Sequence, residues 1–164
     1  MNYVIDITRD ILAPNELISL NEAKEYLRVT DTAQDNVITL IIKGAREAIE
    51  KATGLCINYS KIKALLNNSD GMIELPMQPL NGMITTGLTF VGYDFLQLVN
   101  ISEQIEVEYN AGYDISTIPV DLLLAIYDQI AFMYDNRGSG ADTYAVCEKA
   151  WRTCLRYTRK PLLN

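Results

Sequence analysis

The sequence predicts an α+β fold, mainly α, in which a helical bundle of about four main helices carries a small antiparallel β excursion in the middle of the chain. Three observations lead there. Residues 35–54 hold the longest apolar period of helical type. Residues 56–110 lose that period and run as short alternating segments between turn clusters. A second helical block returns after Pro119. A length of 164 residues suits a single domain with its own core. The expected helices cover about 19–28, 33–53, 119–136 and 141–158 of that 1–164 domain.

In order, Tyr3–Ile7 reads as a short strand and Pro14 as part of an irregular approach. Ser19 opens the first helix. With Glu22 three residues on it makes a capping box, and Ile18 and Ala23 are placed for a hydrophobic staple across it. Leu20, Ala23, Tyr26 and Leu27 should face inward. In the second helix Val37, Ile38, Ile41, Ile42, Ala45, Ala48, Ile49 and Ala52 share an arc about 140° wide. Lys43, Arg46, Glu47 and Glu50 are expected opposite, in i,i+4 pairs worth about 0.2–0.5 kcal/mol each. Gly54 is the expected left-handed C-cap. Leu40 and Gly44 lie together on the flank, where a second surface could come close.

Cys56–Leu66 reads as extended, and Asn67–Gly71 as a turn. Met72–Leu75, Met83–Val91, Phe95–Val99 and Gln104–Tyr109 read as short strands. Glu106 and Glu108 alternate with Ile105, Val107 and Tyr109, the pattern of a strand with one wet face. Pro119 fits the first position of the third helix, where its missing N–H costs nothing. Gly138-Ser139-Gly140 ends that helix, and Pro161 stops the fourth.

Charge is segregated along the chain. Residues 64–136 contain ten acids and no Lys or Arg, whereas residues 149–160 contain five bases and no acid. On the third helix Asp121, Asp128 and Asp135 share a face with Phe132 among them, and the other side chains make an apolar arc of about 200°. Such a face either meets water or forms an acidic wall toward a partner or passage. On the fourth helix Tyr144, Cys147, Trp151, Cys154 and Leu155 form an inner seam. Lys149, Arg152, Arg156 and Arg159/Lys160 form a basic stripe, which either complements the helix dipole or docks on an acidic surface. Residues 159–164 read as a short tail for partner contact.

Composition removes much chemistry. The chain has no His, the usual general base, metal ligand and pH switch. Cys56, Cys147 and Cys154 form no CxxC. Cys147 and Cys154 lie about 10.5 Å apart along a helix, too far to bridge. All three read as reduced, buried thiols in a cytoplasmic setting. A net charge of −7 argues against general wrapping of nucleic acid. No P-loop, GxGxxG, HExxH, GxSxG or EF-hand loop is present. No cofactor, metal site, catalytic residue or membrane span is expected, and the chain does not read as an enzyme.

Several stretches resemble the head–tail connector family of tailed phages and prophages, the adaptor or head-completion proteins that bind the portal. They are ISLNEAKEYLRV (18–29), AREAIEKATG (45–54), IELPMQPL (73–80), VEYNAGY (107–113) and IPVDLLLAI through YDNRG (118–138), in the family's order. The resemblance covers about 120 residues and is less clear after Gly140. It implies a structural virion protein at the head–tail junction, present in the host cytoplasm before assembly. It implies a ring of roughly a dozen copies of itself, bound to the portal protein on one side and to the next neck or tail-completion protein on the other. Double-stranded DNA would pass through without sequence-specific binding, and no active site is carried over.

In such a ring Leu40, Gly44 and Phe132 become candidate subunit contacts. Asp121, Asp128 and Asp135 become a candidate channel or acidic contact face, where carboxylates would keep DNA phosphate from sticking. Lys149, Arg152, Arg156, Arg159 and Lys160 become a candidate basic docking face; acidic and basic faces on neighbouring copies suit head-to-tail contacts. Two other readings remain: a small cytoplasmic regulatory or binding protein of a prophage, and a weak DNA binder acting through the basic C-terminal helix.

Overall fold

In a computed structural model, residues 3–13, 16–67, 72–86, 89–91, 95–97, 104–138 and 145–157 are described. The chain divides into two compact units. One holds the strands, Met1–Pro14 and Cys56–Asp114; the other holds the helices, Asn15–Leu55 and Ile115–Asn164. The α+β expectation holds, and the described helices number four.

In the first unit β1 (Tyr3–Ile11), β2 (Ser60–Asn67), β4 (Leu80–Met83) and β7 (Gln104–Ala111) form an antiparallel sheet in the order β1-β2-β7-β4. β1 is longer than the Tyr3–Ile7 expected. β3 (Met72–Glu74), β5 (Thr89–Val91) and β6 (Phe95–Gln97) make a second small sheet, order β3-β6-β5. Of the expected turn Asn67–Gly71, Asn67 ends β2 and residues 68–71 lie outside the described residues.

β2 and β7 alternate as strands with one wet face should. Ile62, Ala64, Leu66, Val107, Tyr109 and Ala111 are buried with Cys56 and Leu75. On the opposite face Lys63 pairs Glu106 at 3.0 Å, and Lys61 pairs Glu108. The Glu106–Glu108 repeat is thus used in cross-strand ion pairs. Gly112 has φ +100°, and a Cβ there would stand 2.5 Å from the Asn58 carbonyl oxygen, so only glycine fits.

In the second unit α1 (Leu20–Leu27) begins as expected. Ser19 Oγ accepts the Glu22 N–H at 3.3 Å, and Glu22 accepts the Ser19 N–H at 2.8 Å. These bonds to Ser19 hold the Glu22 carboxyl below its usual pKa. α2 spans Asp35–Thr53 and ends on Gly54 at φ +73°. α3 spans Val120–Asp135 and packs against each of the other three helices. Pro119 is its N-cap, one position before the site expected.

Two burial patterns depart from the helical-wheel reading. On α2 the buried set is Ile38, Ile41, Ile42, Ala45, Arg46, Ile49 and Glu50, while Val37 is exposed. The buried arc is turned by about 60° toward Arg46. The cause is Glu16, which accepts from the Arg46 guanidinium at 2.7 and 3.1 Å while Glu50 accepts at 2.6 Å. A charge with such partners can leave water. Burial alone would lower the Arg46 pKa; the two carboxylates outweigh it and raise it. On α3, Val120 (72% exposed) and Leu124 lie outside the core, and on α1 Tyr26 is exposed. An apolar arc of 200° exceeds what the neighbouring helices cover.

α4 spans Glu148–Cys154, shorter than the 141–158 expected. Cys147 is its N-cap, and Ala150 and Cys154 are its buried side chains; Trp151 and Leu155 point outward. Gln129 of α3 explains the late start. Its Nε2 donates to the Ala145 carbonyl at 3.0 Å, and its Oε1 accepts the Cys147 N–H at 2.7 Å. The preceding segment is thereby held out of the helix. Residues 139–144 and 158–164, including Tyr144 and the basic tail, lie outside the described residues.

Candidate assembly surfaces

The acidic face of α3 and the basic stripe of α4 meet within one chain. Lys149 Nζ stands 2.6 Å from Asp128 Oδ1, and Arg156 Nη1 donates to Asp121 Oδ2 at 3.0 Å. Tyr157 donates to the other Asp121 oxygen. That bond, the Leu122 N–H and the Arg156 charge together hold the Asp121 carboxyl below its ordinary range against the opposing effect of burial. Asp128 also accepts from Tyr26 Oη at 3.0 Å, and the Tyr26 ring lies 4.9 Å from that of Tyr127. Burial first, then the bond to Asp128, raises the Tyr26 pKa. The Asp128 bond and charge raise that of Lys149.

This pairing within one chain is among neither the water-facing nor the partner-facing outcomes expected for the two faces. The spacing puts Asp121, Asp128 and Asp135 on one side of α3, but α4 takes Asp128 and the turn after it takes Asp121. Arg152 pairs with Glu148 one turn back on its own helix. Asp135 is exposed and has no ion pair among the described residues. Arg159 and Lys160 lie outside the described residues.

The three candidate contact residues differ among themselves. Leu40 is 70% exposed on α2. Phe132 is half-buried on α3. Gly44 is also half-buried, and the surface that approaches it is α3 itself: a Cβ there would meet Met133 Cε at 3.1 Å. Its small size serves helix packing within the unit. Wheel reasoning missed Glu16, Gln129 and Tyr157. Gln129 alone left a signal, as a polar side chain between Ala125, Ile126 and Met133 on the apolar arc.

The described residues contain no group of three His, Cys, Asp or Glu side chains able to hold a metal. No described helix is long and apolar enough to cross a membrane. Burial pushes the Cys154 thiol up to about 11.

No curated protein sequence matches the chain. Residues 17–82 match the model of the phage gp6-like head–tail connector protein family. Among solved structures, one from the neck of an empty GTA particle computed with C6 symmetry aligns with TM-score 0.77 and 18% identity, over 98% of each chain. One from the virion of a native gene transfer agent (GTA) particle aligns with TM-score 0.75 and 19% identity, over 96% of this chain and 97% of that one. A third, from the neck of a native GTA particle computed with C12 symmetry, gives TM-score 0.73 and 18% identity over 98% of each. The chain therefore carries the phage gp6-like head–tail connector sequence pattern over residues 17–82, on a fold it shares along nearly its whole length with proteins of gene transfer agent particles.

Proposed function

We propose that the protein is a structural component of a phage neck, which assembles as a ring under the portal, joins head to tail and lets double-stranded DNA pass. The observation that supports it best is a coincidence of two comparisons: the connector pattern in residues 17–82 and the whole-chain fold likeness to particle and neck proteins. Those necks were computed with sixfold and twelvefold symmetry, which suits a closed ring of identical copies. The place of action is the head–tail junction of the virion, with the host cytoplasm before assembly. The reading assigns no catalytic step and no cofactor.

Within this reading Leu40 and Phe132 are subunit contacts, Leu40 chiefly, because a large exposed apolar side chain on a stable helix gains most from being covered. Asp135 is the carboxylate of the α3 face still available to line a channel. A charged contact between copies is less favoured, since Asp121 and Asp128 already hold Arg156 and Lys149 of the same chain. For the same reason DNA binding through α4 is not favoured: Lys149, Arg152 and Arg156 each hold a carboxylate.

The test is assembly. Purified protein, alone and mixed with the portal, is imaged by electron microscopy and weighed by native mass measurement. Rings seated on the portal support the reading; a monomer that ignores the portal overturns it.

A further inference from the structure

Among the described residues, strand β1 is an open edge of the four-stranded sheet. Its register sets Ile7 opposite Ala64 and Ile11 opposite Ser60, both buried positions of β2. Ile7 and Ile11 therefore lie on the core side of the sheet. Yet they are 39% and 49% exposed, and no β1 residue belongs to the cluster that fills this core. An exposed apolar edge strand of nine residues is a template for another strand, and monomeric proteins usually guard such edges with charge. The guard here is partial: Asp6 and Asp10 carry charge along the strand and Asp6 Oδ1 accepts the Ile7 N–H at 2.9 Å, but the Arg9 guanidinium turns back to Ser60 Oγ at 3.0 Å and the Asn58 carbonyl at 3.5 Å.

The other edge of the same sheet is β4. Successive strands alternate in direction, so β1 and β4 run opposite ways. One lateral row crosses the whole sheet: Ile11, Ser60, Ala111, Leu80. Small buried residues fill its middle, and an incompletely covered apolar side chain stands at each end.

We infer that β1 of one copy pairs antiparallel with β4 of the next copy of this chain, with Ile11 beside Leu80. The pairing rests on the ring reading above and names its contact. It continues the antiparallel order at the Leu80 end of β4, where the register to β7 is regular up to the irregularity between Leu80 and Met83, and sets the two half-covered ends of the row against each other. It joins two different surfaces, so it is head-to-tail and can close a ring, whereas β1 against β1 would stop at a dimer. With Ile11 beside Leu80, Asp10 falls opposite Asn81 on the polar face of the sheet.

Cross-linking tests that register. Asp10→Cys and Asn81→Cys are introduced singly and together in a Cys147→Ser chain, which is assembled with the portal and mildly oxidised. Directly opposed residues on paired strands stand about 4.5–5.5 Å apart between Cα atoms, within disulfide range. The expected result is a ladder of covalent multimers from the doubly substituted chain, and cross-linked dimers from a mixture of the two single variants. Neither single variant should link to itself. Portal-bound rings that give no ladder, or Asp10→Cys chains that link to each other, overturn this contact and leave the ring reading standing. Absence of any ring or portal binding by the unsubstituted chain overturns both.

Discussion

Lys149 Nζ on α4 lies 2.6 Å from Asp128 Oδ1 on α3, and the same carboxylate oxygen accepts from Tyr26 Oη of α1 at 3.0 Å. One acid thus ties three helices together. Two acids of one charge block and two bases of the other, which look in sequence like surfaces for separate partners, are paired within the chain. Exposed pairs of this kind are screened by water and add little to stability.

Acid should loosen α4 through Asp121. Its carboxyl pKa is depressed in the folded chain by the Tyr157 bond, the Leu122 N–H and Arg156. A depressed folded value means a contribution fully present above the ordinary aspartate pKa of 3.8 and lost as pH falls through the lower folded value. Trp151, the chain's single tryptophan, sits on α4 and reports the change by fluorescence. The emission should shift as pH falls below that range, and Asp121→Asn should remove most of the step.

Arg46→Leu should destabilise the protein by about 3–5 kcal/mol, because it leaves the buried Glu50 and the half-buried Glu16 without their cation. Replacing Glu16 and Glu50 by Gln together with Arg46→Leu should recover part of the loss. Urea unfolding of the single and triple variants measures both.

Gln129→Leu keeps the volume but strands the Ala145 carbonyl and the Cys147 N–H. The cost should be about 1–3 kcal/mol. The amides of residues 145–147 should exchange faster, which hydrogen–deuterium exchange detects.

The helices were legible in the sequence because their signals are local: the Ser19–Glu22 box, the apolar period of 35–54 and Gly54 as cap. Most short strands were legible because Ile105–Tyr109 alternates and turn residues punctuate the rest, but the Met83–Val91 expected as one strand is the end of β4 and then β5, which belong to different sheets. The partners of buried polar groups were not. Glu16 and Arg46 are thirty residues apart, and nothing in either segment names the other. The α4 start was misread because a helical wheel cannot see Gln129 capturing the backbone before it. Of the candidate contact residues, Leu40 was placed correctly outside the core, whereas Gly44 serves α3 of its own chain.

Leu40→Asp should leave thermal unfolding of the isolated protein nearly unchanged, since a surface substitution away from the core shifts stability by about 0.5 kcal/mol or less. It should weaken ring formation on the portal. Sedimentation of the variant with portal, beside its melting curve, separates the two effects; a melting point lowered by core-sized loss would show that Leu40 supports the fold instead.

Imaging of the purified protein with its portal reads ring assembly directly. The expected image is a closed ring of identical copies seated coaxially on the portal, with an open channel wide enough for double-stranded DNA. Protein that stays monomeric at all concentrations and leaves the portal bare would contradict it.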